Sequence, residues 1–571
     1  MKIFTRFTII LFLFILFGNE KSSASHVAGG EITWKCVGGG QYVFKVTIYR
    51  NCDGIPVMLS SFPLKHNFPG IPDIDCNLIS VADVSPSCSS STNRLNCGSD
   101  LTSMSGLIGS VTRYTFQSSP ISLVGVPAPP ANGYTIYTQT ECCRPSDILN
   151  INTSGGFAQT LRAKMYGFIA DGNTTPNNLS ICFDNAPDFS ETPNLVTYQY
   201  GKEYSFSNSA VDKDNDDLNY SFDYPLMADI TDTAFFIPGY SITNPIPRIS
   251  ANGLNNKTGD LSFTPIIAGK FLFVVKVSSR KCGQIVSEIY RDITLSVIND
   301  PNINLLTLNE LPVLKPVFKN STSFDTTIVA GDTLLFKISV ADSNVSGISS
   351  LQGMNVYVNG LAMGAENKSL TLCPFPPCAI LNKDINVNSG LITSRPQLIT
   401  NQITIVPGDT LGYGFSFQPT VSNPTTDFYF YWPTSCSNLN INNSCGLSNQ
   451  VIYNFVVTAK DDYCLAPGRD VRTISVTLTA PNSLCFSSIN QINKNVLISL
   501  SPNPANNVVN WIFQNPTNSK TYLEVYSITG QLLVKEITND NFLEIKNFES
   551  GMYFLKMKNE DNFYSGKFIK E

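Results

Sequence analysis

Phe271-Leu-Phe-Val-Val-Lys-Val277 and Ile289-Tyr-Arg-Asp-Ile-Thr-Leu-Ser-Val297 are the two runs that decide the fold. They consist largely of β-branched and aromatic residues, whose stiff side chains suit a pleated, half-buried surface, and turn residues bound each of them. Asp260-Leu-Ser-Phe-Thr264 precedes them in the same manner, and together the three read as the later strands of one β unit over residues 194–300.

The same text returns downstream. Phe273-Val-Val, Cys282 and Asp292-Ile-Thr-Leu-Ser-Val are echoed by Phe455-Val-Val, Cys464 and Arg472-Thr-Ile-Ser-Val, and in each copy the Cys stands seven positions after the last residue of the triplet. Thr258-Gly-Asp-Leu-Ser-Phe-Thr-Pro is loosely matched by Thr425-Thr-Asp-Phe-Tyr-Phe-Tyr-Trp-Pro. Internal repetition marks copies of one structural unit, so residues 301–485 are expected to form a second β-sandwich, enlarged by an insertion that holds Cys373 and Cys378. A phrase Val-x-Gly-Asp-Thr-Leu occurs at both Val329 and Val406, which leaves open whether this stretch is one sandwich or two.

Upstream, residues 31–37 and 41–49 are alternating runs joined by Gly38, Gly39 and Gly40. Glycine accepts the positive φ of a tight hairpin turn, so the mature chain is expected to open on a β-hairpin. From there to residue 190 short apolar runs alternate with Pro, Ser, Asn and Cys, the pattern of a disulfide-stapled β module over residues 26–190. Residues 1–25 read as a signal peptide: Lys2 and Arg6, an apolar run over 7–17 broken only by Thr8, then Ser22, Ser23, Ala24 and Ser25. That apolar run is far short of the roughly 20 residues a bilayer requires.

All 15 cysteines follow the signal, and eight of them precede residue 190, which points to an oxidising compartment. With His26 and His66 the only histidines and no Cys-x-x-Cys, disulfides explain them better than zinc. Cys373 and Cys378 are expected to pair across the turn at Pro374, Pro376 and Pro377, while Cys282 has no obvious partner in its own segment. The formal net charge is −6 and charged residues make up only 14%, with no dense Lys/Arg run to release counterions from phosphates, so the expected partners include no nucleic acid.

Two sets of residues are candidates for function. Asp212-Lys-Asp-Asn-Asp-Asp217 places Asp212, Asp214, Asp216 and Asp217 on one turn, where clustered carboxylates could supply several of the oxygens that Ca²⁺ takes. The commoner arrangement is a solvated inter-strand turn, and Asp217 stands where an EF-hand loop has Gly. No His-Glu-x-x-His, Gly-x-Ser-x-Gly or phosphate-cradling loop is present, so no catalytic residue is assigned and a non-enzymatic role is expected. A carboxylate pair assembled in space leaves no local spacing, and the competing reading is therefore a secreted hydrolase with its site in the Cys-rich region.

The second set lies in residues 495–571, which lack Cys and have their own strand-turn-strand rhythm. Ser501-Pro-Asn-Pro, Leu523-Glu-Val-Tyr-Ser-Ile-Thr-Gly-Gln-Leu-Leu, Ser550-Gly-Met-Tyr-Phe-Leu-Lys-Met and Lys567-Phe-Ile-Lys-Glu occur there in order. This segment resembles the type A C-terminal sorting domain of proteins exported by the type IX secretion system of Bacteroidota. The resemblance assigns sorting roles to Pro502, Asn503, Pro504, Gly530, Gly551, Tyr553 and Lys567, with Gly530 and Gly551 turning the chain. It implies the secretion machinery as a partner, an extracellular or outer-membrane-associated location, and attachment to outer-membrane lipopolysaccharide as one way of staying there.

Ser25-His-Val-Ala-Gly-Gly-Glu-Ile-Thr-Trp-Lys-Cys and Tyr49-Arg-Asn-Cys-Asp-Gly resemble the opening module of large Bacteroidota surface proteins, some associated with gliding motility. The stretch from Asp212 to Arg291-Asp-Ile is similar to the cadherin-like or PKD-like sandwiches that follow that module. The fold expected is all-β: tandem Ig-like or cadherin-like β-sandwiches, a disulfide-rich N-terminal β region and a small C-terminal β-sandwich. The resemblances imply surface display or adhesion, with an extracellular protein or glycan as ligand.

Overall fold

A computed structural model describes residues 27–571 except 53, 55–56, 58, 86–96, 98–109, 141–143, 146, 153–157, 171–172, 194, 198–200, 202, 248–252, 299–309, 319–323, 343–352, 365–372, 374–376, 383–384, 387–390, 393–396, 399–412, 418–424, 440–449, 464–467, 482–494, 498–499, 512–520, 530 and 560–561. The expected signal peptide lies outside the described residues. The chain forms two compact units, residues 1–481 and 482–571. Strands make up nearly all the regular structure, and among the described residues a single 3₁₀ turn, Cys436–Asn438, is the helical element.

The hairpin at the start is present as expected. Val27–Gly38 pairs antiparallel with Gln41–Asn51, from Val27 opposite Arg50 to Gly38 opposite Gln41, and the turn residues Gly39 and Gly40 have φ of +59° and +70°. From this hairpin the sheet proceeds through Val111–Ser118, Ile74–Asp83, Ser61–His66, Tyr134–Thr140, Gln159–Met165 and Gln284–Val297, then on to Gly269–Lys281 and Asp217–Asp223. Gln284–Val297 also pairs with Val27–Gly38, so eight strands return to their start and the hydrogen-bonded path closes. Closure leaves those strands no free edge to aggregate through.

The seam explains the Gly29-Gly30 pair. Gly29 has φ +151°, and a Cβ on it would lie 2.1 Å from the Asp292 carbonyl oxygen; one on Gly30 would lie 2.6 Å from that of Thr47. Larger residues would force apart the strands that meet here.

The expected modules 26–190 and 194–300 are therefore not separated at residue 190. Strands from both stretches share the sheet, and one buried core runs from Val27, Trp34 and Phe116 to Phe263, Phe273 and Val297. The reason is that strand pairing depends on which apolar faces meet in space, and the linker between the two stretches is itself tied in through Val196–Thr197, parallel to Gln284–Val297.

The later part of this unit is one two-sheet sandwich. Val313–Leu314, Thr333–Ala341, Thr425–Pro433 and Ile380–Asn382 form one sheet; Asp325–Val329, Arg469–Thr479, Gln450–Asp461, Met354–Gly360, Tyr413–Phe417 and Gln397–Leu398 form the other. Aromatic side chains join the two: Phe430 meets Phe455 edge-on at 4.8 Å, and fully buried Trp432 meets Tyr453 at 4.8 Å. The indole N–H of Trp432 donates to the carbonyl of Pro377, which precedes Cys378 of the expected Cys373–Cys378 disulfide, at 3.0 Å. Of the two Val-x-Gly-Asp-Thr-Leu phrases, the first forms the turn into Thr333–Ala341; the second lies outside the described residues.

A polar junction holds this sandwich to the first sheet. Buried Glu191 accepts from the Tyr357 hydroxyl at 3.3 Å, Asn359 Nδ2 at 3.0 Å and Thr458 Oγ1 at 3.2 Å, and Asp260 accepts from the Thr473 amide and hydroxyl at 2.9 and 2.7 Å. On the far side, Arg291 donates to the Glu191 carbonyl at 2.8 Å and pairs with Glu31. Burial raises the carboxyls of Glu191 and Asp260, against these donors, so the junction consists of desolvated groups that are matched with one another.

Cys36 bonds Cys182 and Cys52 bonds Cys97, with Cα separations of 5.6 and 5.2 Å. Cys282 is disulfide-bonded too, so it is not the unpaired cysteine its segment suggested; among the described residues the free thiol is buried Cys76, pushed up to about 12 by burial and then by Asp75.

The second unit is a small sandwich. Five strands, Asn495–Leu497, Asn562–Lys570, Gly551–Asn559, Thr521–Ser527 and Leu532–Thr538, face three, Leu500–Ser501, Val508–Trp511 and Phe542–Glu544, across a core of Val509, Trp511, Leu523, Val525, Leu555 and Phe568.

Candidate functional site

The acidic turn follows the short strand Ala210–Val211 and precedes Asp217–Asp223. Asp212 shapes it: its Oδ1 accepts from the Asp214 amide at 2.8 Å, its carbonyl accepts from the Asn215 amide at 3.2 Å, and Asn215 takes φ +53°. Short polar side chains that bond their own backbone favour such turns, and Asn tolerates the left-handed region. The turn is not a solvated one. Asp212 and Asp216 are 4% and 8% exposed, because the turn folds onto the end of Gly269–Lys281, where Ser279 donates to Asp212 Oδ2 at 2.9 Å and Lys281 Nζ contacts both oxygens of Asp216 at 3.0 and 2.9 Å.

The expected fourth ligand, Asp217, does not join them. It opens the next strand, where side chains alternate, and lies exposed. Its place is taken by Asp184, which lies outside the acidic motif and carries no local signal of its own. Asp184 follows Cys182, which the disulfide to Cys36 ties to the first hairpin, and its neighbour Asn185 is clamped from both sides. The Cys36 amide donates to Asn185 Oδ1 at 2.9 Å, while the Asn185 amide donates to Asp214 Oδ2 at 2.6 Å. The result is a triad: one carboxylate oxygen from each of Asp184, Asp214 and Asp216 lies within 4.8 Å of the others. Burial, then Asp212, Asp216 and Asp214, hold the Asp184 carboxyl well above the usual range; burial, then Asp216 and Asp214, do the same to Asp212. Burial alone would lower Lys281, but Asp216, Asp214 and Asp184 outweigh it and raise its pKa.

A related carboxylate stands in the second sandwich. Asp342 directly follows Thr333–Ala341, is 2% exposed, and neither of its oxygens meets a donor among the described residues. Burial, then Asp462 and Glu310, push it from 3.8 up to about 6. A carboxyl that holds its proton more tightly when folded favours the fold below pH ~4, and that contribution is lost as pH rises through about 6. Asp342→Asn is therefore expected to stabilise the chain by about 1–3 kcal/mol at pH 8 and by little at pH 4, read from melting curves at both.

In the small C-terminal unit the sorting-motif residues come together around the last strand. Ser501-Pro502 and Asn503-Pro504 are cis peptides, and Asn503 between them accepts from the Ile569 amide at 2.9 Å and donates to the Lys567 carbonyl at 3.0 Å. The Ala505 amide donates to the Ile569 carbonyl at 2.8 Å, completing a clasp on the terminal strand. Tyr553 stacks on Phe568 at 5.5 Å and donates to the Glu549 carbonyl at 2.7 Å, whereas the Lys567 side chain stays exposed. Gly551 opens a strand at an ordinary negative φ, so it does not turn the chain as expected; Gly530 lies outside the described residues.

Residues 499–571 match the family model of the secretion system C-terminal sorting domain. No curated protein matches the chain. Similar solved structures include AggA, the major subunit of aggregative adherence fimbriae type I from Escherichia coli (12% identity, 30% of this chain and 93% of that one, TM-score 0.15). A biofilm associated protein BSP domain (9%, 97% and 84%, TM-score 0.18) and the N-terminal four Ig domains of Dscam1 isoform 4.44 (9%, 86% and 96%, TM-score 0.15) are others. At such TM-scores these likenesses say nothing of what this chain binds. The terminal match is a different matter: it implies interaction with the type IX secretion machinery and export to the cell surface or extracellular space.

Proposed function

We propose that this chain is a non-enzymatic surface or secreted protein of adhesive or structural role, carried through the type IX secretion system by its last domain. The observation that carries the reading is the sorting domain at residues 499–571, within a compact unit that follows the β scaffold in the chain. Three buried charged groups of that scaffold support it. Glu31 pairs with Arg291, Arg144 with Asp292, and Glu191 is ringed by Tyr357, Asn359 and Thr458; each is used to pin strands together. The resemblance of the opening residues to Bacteroidota surface modules, some linked to gliding, favours display on the cell, with an extracellular protein or glycan as ligand. A strain lacking the chain is expected to attach less to polysaccharide- or protein-coated surfaces than one in which the full chain is restored. Unchanged attachment, or product release when the purified chain is incubated with polysaccharides or proteins, would favour the hydrolase reading instead.

A further inference from the structure

We propose that Asp184, Asp214 and Asp216, with Asp212 on the same turn, form a site for a hard divalent cation of the Ca²⁺ class, one that joins the segment after Cys182 to the turn after Val211. Asp184 from the segment after Cys182 and Asp214 and Asp216 from the turn after Val211 bring an oxygen each within 4.8 Å of one another, Asp212 lies on the same turn, and Lys281 on Gly269–Lys281 faces Asp216. One ammonium neutralises one carboxylate of four. Lys281 pairs with Asp216, and of the other three Asp184 and Asp212 are each more than nine-tenths buried.

Asp184 is the observation that points to a ligand. It is 5% exposed, both of its oxygens are buried without a hydrogen-bond partner, and one of them is aimed at oxygens of Asp214 and Asp216 within 4.8 Å. A buried carboxylate left without a donor costs several kcal/mol in general, and residues that could have supplied one are directed elsewhere: Ser279 to Asp212, Asn185 to Asp214. Oxygen-only ligands from carboxylates are what Ca²⁺ accepts and what soft metals avoid. The competing arrangement is a proton shared between Asp184 and Asp216, which would leave the fold indifferent to the metal.

The site's position gives the cation a mechanical role. Asn185, beside Asp184, bonds both Cys36 of the first hairpin and Asp214 of the turn, so a bound ion would fasten the hairpin, the turn and the end of Gly269–Lys281 at one point. Extracellular modules bind Ca²⁺ at about 10⁻⁴ to 10⁻³ M, so the ion would be held outside the cell and bound weakly inside it.

The test uses the full mature chain with CaCl₂ and with EGTA. Melting temperature should rise with Ca²⁺ over the ~0.1–5 mM range, and calorimetric titration should show one site. Asp184→Asn should abolish the calcium-dependent rise, and in EGTA it should melt above the unmutated chain, because an uncompensated buried charge has been removed. That second expectation separates loss of the site from loss of the fold. Asp217→Asn should keep the full response. An unmutated chain whose melting temperature ignores Ca²⁺ throughout this range would overturn the proposal in favour of the shared proton. A calcium response that survives in both Asp184→Asn and Asp214→Asn would overturn it in favour of a site elsewhere.

Discussion

Arg144→Met is expected to destabilise the first unit by about 3–5 kcal/mol, a large share of the roughly 5–15 kcal/mol that holds a typical domain folded. Arg144 has no exposed side-chain surface and its partner Asp292 has 4%. The guanidinium fork donates Nη1 to Asp292 Oδ1 at 2.8 Å and Nη2 to Oδ2 at 2.6 Å, and also reaches the carbonyls of Leu226 and Ala158. Gln159 Nε2 adds a third donor to Asp292 at 2.9 Å. Asp292 sits on the seam where Gln284–Val297 meets Val27–Gly38, opposite Gly30. Removing the arginine leaves that carboxylate buried and short of two charged donors. Asp292→Asn in the same chain should recover part of the loss, since the orphaned charge goes with it. Urea denaturation of the mature chain reads both; an Arg144→Met chain within ~0.5 kcal/mol of the unmutated one would mean that water reaches the seam.

Deleting residues 482–571 is expected to abolish delivery to the surface and medium while leaving the rest of the chain folded. The two compact units divide at Pro481 and Asn482, and the C-terminal unit has a core of its own in Trp511, Leu523, Val525, Leu555 and Phe568. The scaffold's core is complete without it. The truncated chain should therefore accumulate in the periplasm with an unchanged melting temperature, which separates a sorting defect from misfolding. Asn503→Ala should have a smaller effect of the same sign, because it removes both side-chain bonds that clasp the terminal strand at Lys567 and Ile569. Normal delivery of the truncated chain would show that the terminal domain is dispensable.

The local elements were legible from the sequence and the long-range pairings were not. Gly38 to Gly40 announced a hairpin because only a tight turn needs three glycines between alternating runs, and Cys373 and Cys378 announced a disulfide because a short Pro-rich turn brings them together. The repeated Phe-Val-Val text located Gly269–Lys281 and Gln450–Asp461, interior strands of their sheets. Nothing in the text says that Gly29 will lie opposite Ile293, since register across such a distance is decided by apolar faces and leaves no spacing to read. The expected boundary near residue 190 failed for that reason. The acidic turn shows the same limit. Asp212, Asp214 and Asp216 could be picked out by their crowding, but crowding alone could not tell that strand alternation would turn Asp217 outward, or that the Cys36–Cys182 disulfide would deliver Asp184 from outside the motif.

Under the proposed function, this scaffold works outside the cell and is taken there by its last domain. The most direct measurement is fractionation of cells into cytoplasm, periplasm, outer membrane and medium, with the full-length chain followed in the presence and absence of a working type IX secretion system. The mature chain is expected on the outer membrane or in the medium when the system works, and in the periplasm when it does not. A chain that reaches the surface equally well without the system, or that stays in the periplasm with it, would contradict the account.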